Sequence, residues 1–236
     1  MRMRDLATAR PRFGYQRIHL MLRREGRVVN RKKVLRIYRE EGLAVRTRRR
    51  HKLAARLRVP MPVPLGPREQ WSIDFVTDAL VEGRRIRVLT VIDNYTRECL
   101  TLEVAGSLPS PAVTAALDRA ISRYGKPNVI TCDNGPEFTA NHFDAWAYAR
   151  GIKIDFIAPG KPIQNALCES FNGSFRDECL NASWFQTLAQ ARHQIESWRR
   201  DYNEARPHSS IGDITPTEYA TQLLCDFGGL SQVKSA

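Results

Sequence analysis

A mixed α/β sheet of five strands with flanking helices, preceded by a small, strongly basic helical region, is the fold class predicted by this 236-residue sequence. Three observations carry that expectation. Charge is unevenly divided: residues 1–69 hold 21 Lys and Arg against 5 Asp and Glu, or +16, whereas residues 70–236 hold 16 against 20, or −4. Beyond residue 70, three strand-like runs come in succession and are followed by strands alternating with helical stretches. Finally, Asp133 at the end of an apolar run and Glu169 within a helical stretch are separated by 35 residues.

Composition sets the class. With 42% hydrophobic and 26% charged residues the chain reads as an ordinary globular protein. No apolar run approaches the roughly 20 residues of a membrane span. The start, MRMRDLATARPRFG, has charge but no apolar core, so no secretory signal is expected and the default compartment is the cytoplasm. Five cysteines, at 99, 132, 168, 179 and 225, form no C-x-x-C pair, which argues for buried reduced thiols rather than disulfides or a zinc ribbon.

Taken in order, residues 1–45 predict a helix-turn-helix-like DNA-binding region. Tyr15 to Arg24 turns Ile18, Met21 and Leu22 inward and stops at Gly26; Asn30 then caps a second helix with Val34, Ile37 and Tyr38 inside. Lys32, Arg36 and Arg39 share the outer face of that helix at i, i+4 and i+7, a spacing suited to phosphates or base edges. Residues 46–69 read as a basic, proline-rich linker. The core is expected over 70–225, with a tail at 226–236. WSIDFV places Asp74 in the middle of a strand, where a carboxylate is costly unless paired or metal-bound. Ile86 to Ile92 and Cys99 to Val104 follow, joined by the turn pair Asp93-Asn94. Ser110-Pro111 supplies an N-cap and N1 proline for a helix to Tyr124. Val129 to Cys132 delivers Asp133 into the turn Asn134-Gly135-Pro136. A helix over about 140–150, a strand over 152–157 and a helix from about Gln164 come next, and the Leu188, Ile195, Trp198, Tyr202 series predicts a further core-packing helix.

On the helix that carries Glu169, Asn165, Glu169, Asn172 and Arg176 line one face, while Leu167, Phe171 and Phe175 fall on another. Asp74, Asp133 and Glu169 could therefore converge. Three neighbouring carboxylates repel one another unless a cation or a shared proton neutralises them. Oxygen-only ligation selects Mg²⁺ or Mn²⁺ over zinc, and two such ions roughly 3.5–4 Å apart suit in-line phosphoryl transfer. The bland alternatives are a turn-forming Asp133, a solvated Glu169 and a paired Asp74.

WSIDFV, TCDNGPEF, FIAPGKPIQNALCESFNGSFRDECLN and DYNEARPHSSIGDITPTEY, with FGYQRIHLMLRREG and VNRKKVLRIYREEGL before them, together resemble the OrfB-type transposases of the insertion-sequence-three family, relatives of retroviral integrases. The likeness runs over about residues 11–220. It implies a ribonuclease H-like core, a catalytic and metal-binding triad of Asp74, Asp133 and Glu169, and strand cleavage and transfer of an insertion element with two Mg²⁺ or Mn²⁺ ions. It also implies DNA ends and a target duplex as partners, a homo-multimer on DNA, an upstream OrfA protein, and a bacterial protein associated with the nucleoid when bound. The alternative is a catalytically silent DNA-binding remnant or regulator of transposition, or a nuclease of the same fold that cuts without joining.

Further expectations concern single residues. Lys161, Asn165, Asn172 and Arg176 are expected to meet DNA, with Lys161 and His208 suited to phosphate. Asn134 and Gly135 are expected to shape the turn that presents Asp133, the asparagine amide also being able to orient a metal-bound water. Asp93 is read as a turn former. Glu137 is either a helix-start acid or a residue that touches the site.

Overall fold

The computed structural model describes residues 2–45, 64–157 and 165–230. Among these, 2–45 with 207–213 form one compact unit and 64–206 with 214–230 another; each is described by itself.

The first unit contains three helices, α1 (Arg2–Ala9), α2 (Tyr15–Arg24) and α3 (Arg31–Glu40). The first of them escapes the sequence pattern, because Met3 and Leu6 alone are too few to define a period, yet both are buried. They join Phe13, Ile18, Leu22, Val34 and Tyr38 in a small core, with Met21 and Ile37 at its margin. Asn30 caps α3 by accepting from the Lys32 backbone N–H at 2.8 Å. Gly26, at φ 76°, makes the reversal after α2 that a side chain would strain.

In the second unit the element order is β1 (Gln70–Ala79), β2 (Arg85–Asp93), β3 (Cys99–Ala105), α4 (Ser110–Tyr124), β4 (Val129–Cys132), α5 (Asn141–Arg150), β5 (Lys153–Phe156), α6 (Ala166–Glu178), α7 (Leu188–Glu204) and α8 (Pro216–Leu230). The sheet runs β3-β2-β1-β4-β5. The first three strands are antiparallel, as short hairpins allow, and β4 and β5 lie parallel to β1, which their helical crossovers require. This is the mixed five-stranded sheet that the sequence predicts.

Alternation along β1 sorts the core into two layers. Trp71 and Ile73, with Leu89, Val91 and Ile130, pack under α4 and α5. Val76, with Ile86, Val88 and Val104, packs under α6 and α7, against Phe171, Phe175 and Ile195. Asp74 has the parity of Val76 and so lies on the α6 side. Two local expectations need correction. α4 begins at Ser110 itself, with extended Pro109 at the cap position, so Ser110 supplies no capping hydrogen bond. On α6 it is Cys168, not Leu167, that joins Phe171 and Phe175 in the core, at i, i+3 and i+7.

The turn between β2 and β3 is built around Asp93, which accepts from the backbone N–H groups of Arg68, Tyr95 and Thr96 at 2.7, 2.8 and 2.9 Å. Its oxygens are committed to the turn, which agrees with the sequence reading. Beside it Glu98 is pushed up to about 6, first by burial and then by the charge of Asp93, against a hydrogen bond from Thr96 and the charges of Arg68 and Arg199. A carboxyl whose folded-state value is raised has no such penalty below its unfolded value and loses stability as pH climbs through the folded one. Glu98→Gln is therefore expected to leave the urea midpoint unchanged at pH 4 and to stabilise the chain by up to about 2 kcal/mol above pH 7. Urea titrations at the two pH values measure this.

Candidate active site

Register brings the two strand acids together. Ser72 of β1 is opposite Thr131 of the parallel β4, so Asp133, just past the end of β4, reaches the level of Asp74 and points to the same face. That face is the one α6 covers, and Glu169 stands exposed in its first turn. Three acids far apart in sequence are thus delivered by a strand interior, a strand end and a helix to one side of the sheet.

Asp74 is partly buried and its carboxylate is held on both oxygens: Oδ1 accepts from the Phe75 N–H at 2.7 Å and Oδ2 from Asn172 Nδ2 at 2.8 Å. Its pKa is raised, chiefly by burial; the Phe75 N–H opposes the rise, Asp133 adds to it, the Asn172 hydrogen bond opposes it, and Glu169 adds to it. Asp133 and Glu169 both therefore lie within electrostatic reach of Asp74. Asp133 Oδ1 accepts from the Gly135 N–H at 3.1 Å. Gly135 leaves room for this carboxylate: a Cβ there would stand 3.0 Å from Asp133 Oδ1, so the carboxylate would have to give by a few tenths of an ångström. Asn134 donates from Nδ2 to the Ile157 carbonyl at 3.0 Å, tying the turn to the end of β5 in the loop-shaping role the sequence suggests.

The polar stripe of α6 separates into different uses. Asn172 faces Asp74, not the outside. Asn165 is buried, at the position before α6, and does not share the exposure of Glu169. Arg176 is exposed and donates to the Thr77 carbonyl at 3.2 Å. Lys161 lies outside the described residues. Cys132 and Cys168, the neighbours of Asp133 and Glu169, are buried away from the acids' open side, and burial pushes Cys132 up to about 12. His208 is buried as well, which removes it from the surface where a phosphate would be met. In the first unit Lys32, Arg36 and Arg39 are all exposed on α3, Arg36 pairing with Glu40 at 2.8 Å.

The donor set fits a hard divalent cation: carboxylate oxygens only, with the buried Oδ1 of Asn172 lacking a hydrogen-bond partner among the described residues. The acids line one face without being drawn to a point, since among the described residues no three His, Cys, Asp or Glu side chains are grouped closely enough to hold an ion as they stand. Asp74 and Asp133 are each turned to protein N–H donors, and Glu169 extends outward.

Sheet order and helix placement define an integrase-type, ribonuclease H-like core. Comparison with known proteins agrees. The family described as "Integrase core domain" matches residues 64–162 and again 150–216, and an "HTH-like domain" matches residues 1–51. The chain is 49% identical over 221 residues to the insertion element IS407 uncharacterized 31.7 kDa protein of Burkholderia multivorans, covering 94% of this chain and 80% of that one. It is 26% identical over 224 residues to the putative transposase InsK for insertion sequence element IS150 of Escherichia coli, covering 90% and 79%. Among solved structures, the HTLV-2 integrase catalytic core domain in complex with magnesium superimposes with a TM-score of 0.52 at 20% identity, covering 66% of this chain and 98% of that one. The chain belongs to the integrase-core transposases of insertion elements, the insertion-sequence-three family. Among the described residues, no helix is long and apolar enough to cross a membrane.

Proposed function

We propose that the chain cleaves and joins DNA strands at the ends of an insertion element, with Asp74, Asp133 and Glu169 as its catalytic carboxylates. The observation that carries this reading is their delivery to one sheet face from three separate elements, close enough for Asp133 and Glu169 to raise Asp74. These three would hold Mg²⁺ or Mn²⁺, two ions being expected during the reaction; the magnesium present with the HTLV-2 core supports that choice. When bound, such ions offset the clustered negative charge and activate the attacking oxygen. The chain's own part is to place the acids. The Phe75 N–H and Asn172 fix the Asp74 carboxylate, Gly135 leaves room for that of Asp133, and exposed Arg176 offers a guanidinium to the strand that carries the scissile phosphate.

DNA is the partner, held by Lys32, Arg36 and Arg39 on α3 and by the surplus of cations in residues 1–69. A phosphate would compete with Glu40 for Arg36. A multimer on paired element ends, an upstream OrfA partner and a nucleoid-associated place in the bacterial cytoplasm complete the proposal by family resemblance.

Glu169→Gln tests the reading. With oligonucleotides that carry the element's ends and a target duplex, Mg²⁺-dependent joined products should fall on the order of a thousandfold or more. Gel-shift affinity for the same ends should be retained. Joining at the parent's rate would refute the assignment, and cleavage by the parent without joined products would mark a nuclease instead.

A further inference from the structure

The turn that presents Asp133 is held by more than its own hydrogen bonds. Glu137, four residues on, forms an ion pair with Arg87 of β2, and both side chains are largely sheltered, at 16% and 28% exposure. The guanidinium of Arg87 also lies over the ring of Phe75, 4.0 Å from its centroid. Phe75 in turn stacks at 5.1 Å on Phe138, the residue that follows Glu137. One guanidinium is therefore gripped by the turn's carboxylate and by an aromatic ring of β1. Phe75 is the residue after Asp74 and its N–H fixes the Asp74 carboxylate, while its ring points to the opposite face. The grip thus reaches the second acid's strand from behind.

Glu137 is close to the site itself. The position a Cβ on Gly135 would take is 3.0 Å from Asp133 Oδ1 and 3.4 Å from Glu137 Oε2, so the two carboxylates border the same small gap. An unpaired acid there would add a fourth negative charge to three that already repel. Hydrogen bonding to Arg87 holds the Glu137 carboxyl below the ordinary carboxylate range, so it stays ionised and paired. Its charge is spent on the anchor.

We propose that Arg87 and Glu137 are positioning residues that act as a unit, pinning the turn over Asp133–Phe138 against β1 and β2 and so setting where the Asp133 carboxylate stands relative to Asp74. This rests on the reading of Asp74, Asp133 and Glu169 as the metal-binding acids. A partly sheltered ion pair anchored on a ring retains its geometry in a way that an exposed pair does not. Groups that orient a metal ligand affect metal affinity, whereas a merely stabilising pair affects melting alone.

The test is calorimetric titration of the full chain with Mn²⁺ alone, paired with thermal melts. Glu137→Gln keeps the shape and removes the charge; Arg87→Met keeps an apolar stem on Phe75 and removes the guanidinium. Each is expected to weaken Mn²⁺ binding about tenfold, and the double variant no more than the worse single one, because the two residues act together. The proposal is overturned by Mn²⁺ affinity within about twofold of the parent in both single variants, by losses that multiply in the double variant, or by a lower melting temperature with affinity unchanged. Should Arg87→Met fail to fold, Glu137→Gln decides alone. Asp74→Asn in the same titration separates the two levels: Mn²⁺ bound as by the parent would overturn the metal-site reading, whereas its loss alongside intact binding in the pair variants would overturn the clamp only.

Discussion

Asp74→Asn is expected to remove Mn²⁺ binding and strand transfer together, yet to leave a metal-free chain that melts no lower than the parent. Asp74 is the innermost of the three acids, and burial together with the charges of Asp133 and Glu169 disfavours its ionised form. A neutral amide of the same shape relieves that cost. It can still accept from either the Phe75 N–H or Asn172, so at most one of two hydrogen bonds is exchanged, a change of about 1 kcal/mol. Function and stability should therefore move in different directions, as expected where like charges are gathered for a ligand. Melting with and without Mn²⁺ measures it: the parent's melting temperature rises with metal by mass action and the variant's stays flat. A variant whose melting temperature rises with Mn²⁺ as the parent's does would show that Asp74 is not a ligand.

Arg206→Ala is expected to destabilise the chain severely. Arg206 lies over the Tyr202 ring and donates through Nε and Nη2 to both oxygens of Glu178, at 2.9 and 2.7 Å. Their side-chain exposures are only 5% and 11%. Truncating one partner leaves the other charge buried, which costs about 3–5 kcal/mol, or roughly 10 °C for a chain of this size. The pair also joins the last turn of the Glu169 helix to the end of α7, so the loss should lower activity by way of the fold. Urea unfolding of Arg206→Ala against Arg206→Lys separates charge from the two-pronged geometry, with the lysine variant intermediate. A shift below about 1 kcal/mol would mean the pair is open to solvent.

Arg206 also shows where pattern reading stops. In the sequence it is one letter of DYNEARPHSS, with no period and no neighbour to announce a partner 28 residues upstream. Arg199 and Asn203 are similar: on the helix they look like solvated polar residues, but both are buried, and they hold the Cys99 carbonyl at 2.9 and 2.8 Å. Such side chains replace strand partners at the edge of the sheet, and nothing local records which carbonyl awaits them. Asn172 was legible as polar and on the face of Glu169, but its direction was not; it turns inward to Asp74 instead of outward. The pair of Arg87 and Glu137 was invisible for the same reason, because its partners are 50 residues apart on different elements.

Features that depend on local order can be read from the residues alone: strand alternation around Asp74, the turn after Asp133, the helical period around Glu169, the capped helix after Asn30, and the division of charge between a basic first third and an acidic remainder. From these the mixed sheet and the three acids follow, since alternation fixes which side of a strand an acid occupies and the 3.6-residue period fixes which stripe of a helix it joins. Long-range packing is what aligns Thr131 of β4 with Ser72 and so brings Asp133 level with Asp74. The same packing lays α6 over that face, withdraws Asn165 and His208 into the interior, and brings Arg87 to the Asp133 turn from behind. Those are contacts between segments distant in the chain, set by register and packing, quantities that exist only once the sheet has formed.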